Sequence, residues 1–99
     1  MTNTTLPKPQ SSDEKAEMFR RLEDLYWLCK RDGLNKQDQA IVLIRACIEE
    51  GITTGPSIVG TAAHVGLNPK HVGAVLTKSI GNLWHRDDNR VYSLLPPLS

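Results

Sequence analysis

Much of what would mark an enzyme, a membrane protein or a secreted scaffold is missing from these 99 residues. No run approaches the roughly 18 consecutive apolar residues that a membrane-spanning helix needs. The N-terminus has no basic region leading into an apolar stretch, as a secretory signal would. A cytoplasmic location is therefore the expectation. Cysteine is scarce: Cys29 and Cys47 lie in separate helix-like, partly apolar runs, which excludes a disulfide framework and predicts buried free thiols. Charge of one sign is lacking too, since 12 Lys and Arg stand against 11 Asp and Glu for a net charge of +1.

Catalytic patterns are equally thin. The sequence pairs no Ser or Cys with a neighbouring His and offers no carboxylate dyad, and GTAAHVG (60–66) lacks the Lys and Ser/Thr of a phosphate loop. The three histidines His64, His71 and His85, even taken with Cys47, have none of the close ligand spacing of zinc sites. His64 reads as a helix-surface residue and His85 as a strand-surface one. No enzyme, metal, cofactor or small-molecule ligand is expected.

What remains is one small domain. Pro7, Pro9, Pro96 and Pro97 remove donors and fix the backbone near the two ends, so 1–10 and 96–99 are expected as disordered tails, leaving roughly 80 residues for the fold. Residues 1–50 carry eight basic and nine acidic side chains; residues 51–99 carry Lys70, Lys78, Arg86 and Arg90 against only Asp87 and Asp88. The second half is mildly positive.

From Ser11 to Asp32 the apolar positions Met18, Leu22, Leu25 and Cys29 make one helical stripe, widened by Phe19 and Tyr26. Ser11 with Glu14 forms a capping box and Gly33 the stop, with Leu34 folding back. A second helix begins at Asn35 and runs to Gly51, with Ile41, Ile44, Cys47 and Ile48 on one face and Leu43 nearby. It is the expected central support. TTGPS (53–57) feeds a short third helix that Gly66 ends. Asn68 and Pro69 start a fourth, reaching about Ile80 before Gly81. Leu83–Arg86 and Arg90–Leu94 read as strands around the turn formers Asp87, Asp88 and Asn89, with Trp84 and Tyr92 as a cross-strand pair and Leu83, Val91 and Leu94 closing on the helices.

The stretch TAAHVGLNPKHVGAVLTKSIG (61–81) has a small residue, Ala62, followed four positions later by the turn residue Gly66, then the anchors Val72, Val75 and Leu76. This spacing resembles the helix-turn-helix family over about 20 residues. Thr61 departs from it, standing where family members carry a larger apolar residue. With the hairpin added, residues 34–95 look like a winged helix-turn-helix domain, and 11–33 is an additional N-terminal helix. The expected fold class is mainly α with a small C-terminal β-hairpin.

The resemblance implies sequence-specific binding of double-stranded DNA by a small transcriptional regulator. Asn68, Lys70, His71, Gly73, Ala74, Thr77 and Lys78 would face the DNA from a recognition helix lying in the major groove, and Arg86 and Arg90 would act from the wing. Asn68 and the amides of the helix start would meet a phosphate. Gly73 and Ala74 would let the helix lie deep, and Ala74 or the Thr77 methyl would touch a thymine methyl. Asp87 and Asp88 at the wing tip argue the other way. An adaptor that binds protein through the same surface is the alternative. The N-terminal helix either covers the core or forms a homodimer contact through Met18, Phe19, Leu22 and Tyr26. Its Arg20 and Arg21, balanced by Glu17, Glu23 and Asp24, read as a solvated face.

Overall fold

A computed structural model describes residues 12–95. Its elements are α1 (Ser12–Arg31), α2 (Lys36–Glu49), α3 (Gly55–Val65), α4 (Pro69–Lys78), β1 (Trp84–Arg86) and β2 (Tyr92–Leu94). The chain is thus mainly helical with a small two-stranded antiparallel hairpin at its C-terminal end. The Ser11 capping position and both expected tails lie outside the described residues.

Local devices set the helix ends. Past α1, the Leu34 amide donates to the Cys29 carbonyl at 3.0 Å and the Gly33 amide to Lys30 at 3.1 Å, which satisfies carbonyls the last turn would leave open. Asn35 caps α2 by accepting the Asp38 amide at 2.8 Å. The helix is central, as expected, packing against α1, α3, α4 and β2. Its deepest residues are Ala40, Leu43, Ile44 and Cys47, while Ile41 is only half-buried. Ile44, Cys47 and Ile48 are thus buried as the apolar spacing favoured, with Leu43 beside them, and Ala40 lies deep where Ile41 does not.

The additional helix α1 covers the core. Leu22 and Cys29 are buried in it and Met18 and Tyr26 pack at its edge. Phe19 meets His64 of α3 in a tilted ring contact with centroids 4.5 Å apart, and His64 is exposed as expected. Met18, Leu22 and Tyr26 are therefore turned toward the core, while Phe19 rests against His64. Arg21 is exposed, as a solvated face requires, and it also grips Glu50, at the end of α2, through Nε and Nη2 at 2.8 and 2.7 Å. That hydrogen-bonded guanidinium holds the Glu50 carboxyl below its ordinary value. Cys29 and Cys47 are buried and free.

In the hairpin Trp84 lies opposite Leu94, His85 opposite Ser93 and Arg86 opposite Tyr92. Trp84 and Tyr92 are both buried, on opposite strands and one face as expected, and the register makes them diagonal neighbours. Leu83 stays exposed instead of closing on the helices, and α4 ends at Lys78, short of Ile80. A third stretch joins the hairpin: the Tyr92 amide donates to Thr53 at 2.7 Å and Thr54 bridges Val91. The hairpin is thereby fixed to the α2–α3 connection.

Candidate nucleic-acid interface

Ala62 is fully buried, and the turn after it is closed by the Gly66 amide on Ala62 and Ala63 at 3.1 Å and the Leu67 amide on Ala62 at 3.0 Å. Gly66 has φ 134, where a side chain is strained, and a Cβ there would stand 3.0 Å from Cε2 of Tyr26. The positive φ favours glycine here, and the close approach of Tyr26 adds a crowding that was invisible in the sequence because Tyr26 lies 40 residues earlier.

At the start of α4 the Asn68 side-chain oxygen accepts the amides of Lys70 and His71 at 2.9 and 3.1 Å. These two amides are therefore capped by Asn68 rather than free at the helix start. Val72, Val75 and Leu76 are buried beneath α4, as expected. On the opposite side Lys70, Ala74, Thr77 and Lys78 are exposed. At about 3.6 residues per turn these four form one outward stripe.

The other two residues expected on that face flank it. His71 is half-buried, and its Nε2 is sealed from solvent without a hydrogen-bond partner. The residue lines a hollow of about 740 Å³ together with Tyr26 of α1 and Lys36 and Gln39 of α2. A nitrogen closed off from solvent does not reach a base edge. Gly73, on the other flank, faces α3, where an added Cβ would meet Val59 Cγ2 at 4.0 Å. It belongs to the packing between the two helices rather than to the outward face.

The hairpin grows from the end of α4. Ile80 bridges Trp84, the Gly81 amide donates to the Trp84 carbonyl at 2.7 Å, and the Trp84 indole Nε1 donates to the Leu76 carbonyl at 2.8 Å. Strands of three residues carry the tip roughly 10 Å beyond that base. At the tip the Asp87 carboxylate accepts the amides of Asn89 and Val91 at 2.8 and 3.0 Å. Asp87 therefore organises the turn, and only Asp88 presents an unengaged carboxylate there. The Asp-x-Asn spacing of 87–89 was a legible signal for such a turn. Arg86 and Arg90 are exposed, and Arg90 has φ 65, the one positive φ at a non-glycine residue among those described.

No Asp or Glu occurs between Glu50 and Asp87, so α3, α4 and β1 hold no carboxylate. The nine remaining acids all lie on α1, α2 and the turns beside them: Asp13, Glu14, Glu17, Glu23, Asp24, Asp32, Asp38, Glu49 and Glu50. A net charge of +1 thus conceals a strong separation between elements. Among the described residues no three His, Cys, Asp or Glu side chains gather as a metal site. Comparison with protein-family models, curated proteins and solved structures finds no match to the chain.

Proposed function

We propose that the chain is a winged helix-turn-helix protein that binds double-stranded DNA and regulates transcription by occupying its site. The outward stripe of α4 carries this reading: Lys70, Ala74, Thr77 and Lys78 on a helix face without a carboxylate, small at its centre and cationic at both ends. Small central side chains let a helix backbone approach a groove floor, where Ala74 and the Thr77 methyl would meet apolar base edges. The two lysines would neutralise phosphates on either side.

Arg90 supports the wing role. A non-glycine residue held at positive φ is costly, and such positions concentrate where a side chain has a task. With Asp87 committed to turn amides, Arg86 and Arg90 would dominate the charge the tip offers a flanking phosphate or minor groove. One unit makes few contacts, so useful specificity calls for two copies on paired half-sites.

A second reading, protein binding through the same surface, is favoured by one observation. The outward stripe of α4 has no Arg, Asn or Gln, so its two lysines are the only long side chains there that could read a base. Titrating a labelled duplex at low and high salt separates the two. Salt-sensitive affinity supports DNA binding, and no binding by the folded protein assigns the surface to a protein partner.

A further inference from the structure

The outward face of α1 holds the most exposed large apolar side chain among the described residues. Trp27 is 58% exposed and Leu28 beside it 39%. Neither takes part in the core, and Trp27 is approached by the Arg31 guanidinium, 5.3 Å from the ring centroid. One turn before this pair lies Asp24, which makes no ion pair among the described residues. One turn after it lies Arg31, whose one ion pair among the described residues is a long 3.4 Å contact from Nε to its neighbour Asp32. Positions 24, 27, 28 and 31 are spaced by three and four, so they share one face of the helix.

We propose that this face docks a second copy of the chain, with two α1 helices antiparallel about a two-fold axis passing between Trp27 and Leu28. In that register Trp27 meets Leu28 of the second copy and Asp24 meets Arg31 of the second copy, and symmetry makes each contact twice. Charge selects both the orientation and the register. A parallel pair would set Asp24 against Asp24 and Arg31 against Arg31, and an axis moved to Asp24 would oppose two carboxylates. Trp and Arg are also the residue types that dominate association energies.

The face is the opposite side of α1 from the stripe that covers the core, so docking leaves the fold intact. It is also independent of whether α4 binds DNA. Because so few residues meet, the dimer is weak and depends on concentration.

Sedimentation velocity of the full chain over a concentration series tests the proposal, with circular dichroism showing that each variant is folded. The wild type should shift from monomer to dimer as concentration rises. Trp27→Ala and Arg31→Asp should each weaken association by about tenfold or more. The double variant Asp24→Arg/Arg31→Asp, which restores opposite charges across the axis, should associate more tightly than Arg31→Asp alone. A monomer at every concentration, association unaffected by both single variants, or no recovery in the double variant would each overturn it.

Discussion

The indole nitrogen of Trp84 donates to the main-chain carbonyl of Leu76 at 2.8 Å inside the core. That carbonyl sits in the last turn of α4, where the next partner would be the Ile80 amide, but Ile80 donates to Thr77 instead, at 3.4 Å. The hairpin therefore completes the hydrogen bonding of the helix. Trp84→Phe keeps an aromatic ring but strands a buried acceptor and leaves a void, so it should destabilise the protein by about 2–3 kcal/mol. Urea denaturation of the two proteins measures this, and an unchanged midpoint would mean that the hairpin does not support α4.

Gly73 separates packing from recognition. Its site in mid-α4 tolerates a Cβ, which would meet Val59 at ordinary contact distance, and alanine is the better helix former. Gly73→Ala should raise stability by about 0.5–1 kcal/mol and leave DNA affinity as it was. A large loss of affinity would place Gly73 in the groove after all.

Arg90 should show the opposite balance. Replacing a residue at φ 65 with glycine relieves backbone strain, worth about 1–2 kcal/mol less the greater freedom of glycine in the unfolded chain. Arg90→Gly should therefore melt higher than the wild type and bind duplex DNA less tightly. Thermal melts beside binding curves give both readouts, and a variant that is stabler yet binds equally well would remove Arg90 from the wing contact.

The thiol of Cys47 predicts an alkaline limit to stability. Burial, with the nearby Glu50 charge adding to it, pushes this thiol from 9.0 up to about 11. The unfolded thiol ionises first as pH rises, so the stabilisation is complete below pH 9.0 and is lost between there and about 11. Cys29 is raised in the same direction, chiefly by burial. Across that window the wild type should lose roughly 2 kcal/mol more than Cys47→Ala does. Parallel denaturant series at several pH values measure the difference, and identical pH profiles would contradict it.

The parts of this fold legible in the sequence are those fixed by local chemistry. Asn35 and Asn68 cap, Gly33 and Gly66 end helices, and the order of helices and hairpin followed from these signals. What was not legible depends on contacts between distant residues. The deep burial of Ala40 arises from neighbours around α2, the grip of Arg21 on Glu50 spans 29 residues, and the diagonal register of Trp84 and Tyr92 is set by a turn that Asp87 organises. The candidate site was read in outline. Lys70, Ala74, Thr77 and Lys78 face outward as expected, whereas His71, Gly73 and Asn68 had roles that only α1, α2, α3 and the cap geometry reveal.

The central claim is that the outward stripe of α4 meets DNA, and the most direct measurement is fluorescence anisotropy of a labelled duplex titrated with wild type and with Lys70→Ala/Lys78→Ala across a salt series. The account predicts wild-type affinity that falls steeply with salt, and a double variant that binds more weakly with a log–log slope shallower by about 2, roughly one for each lost phosphate contact. Absence of binding by folded wild type at low salt, or a variant with the wild-type slope, would contradict it.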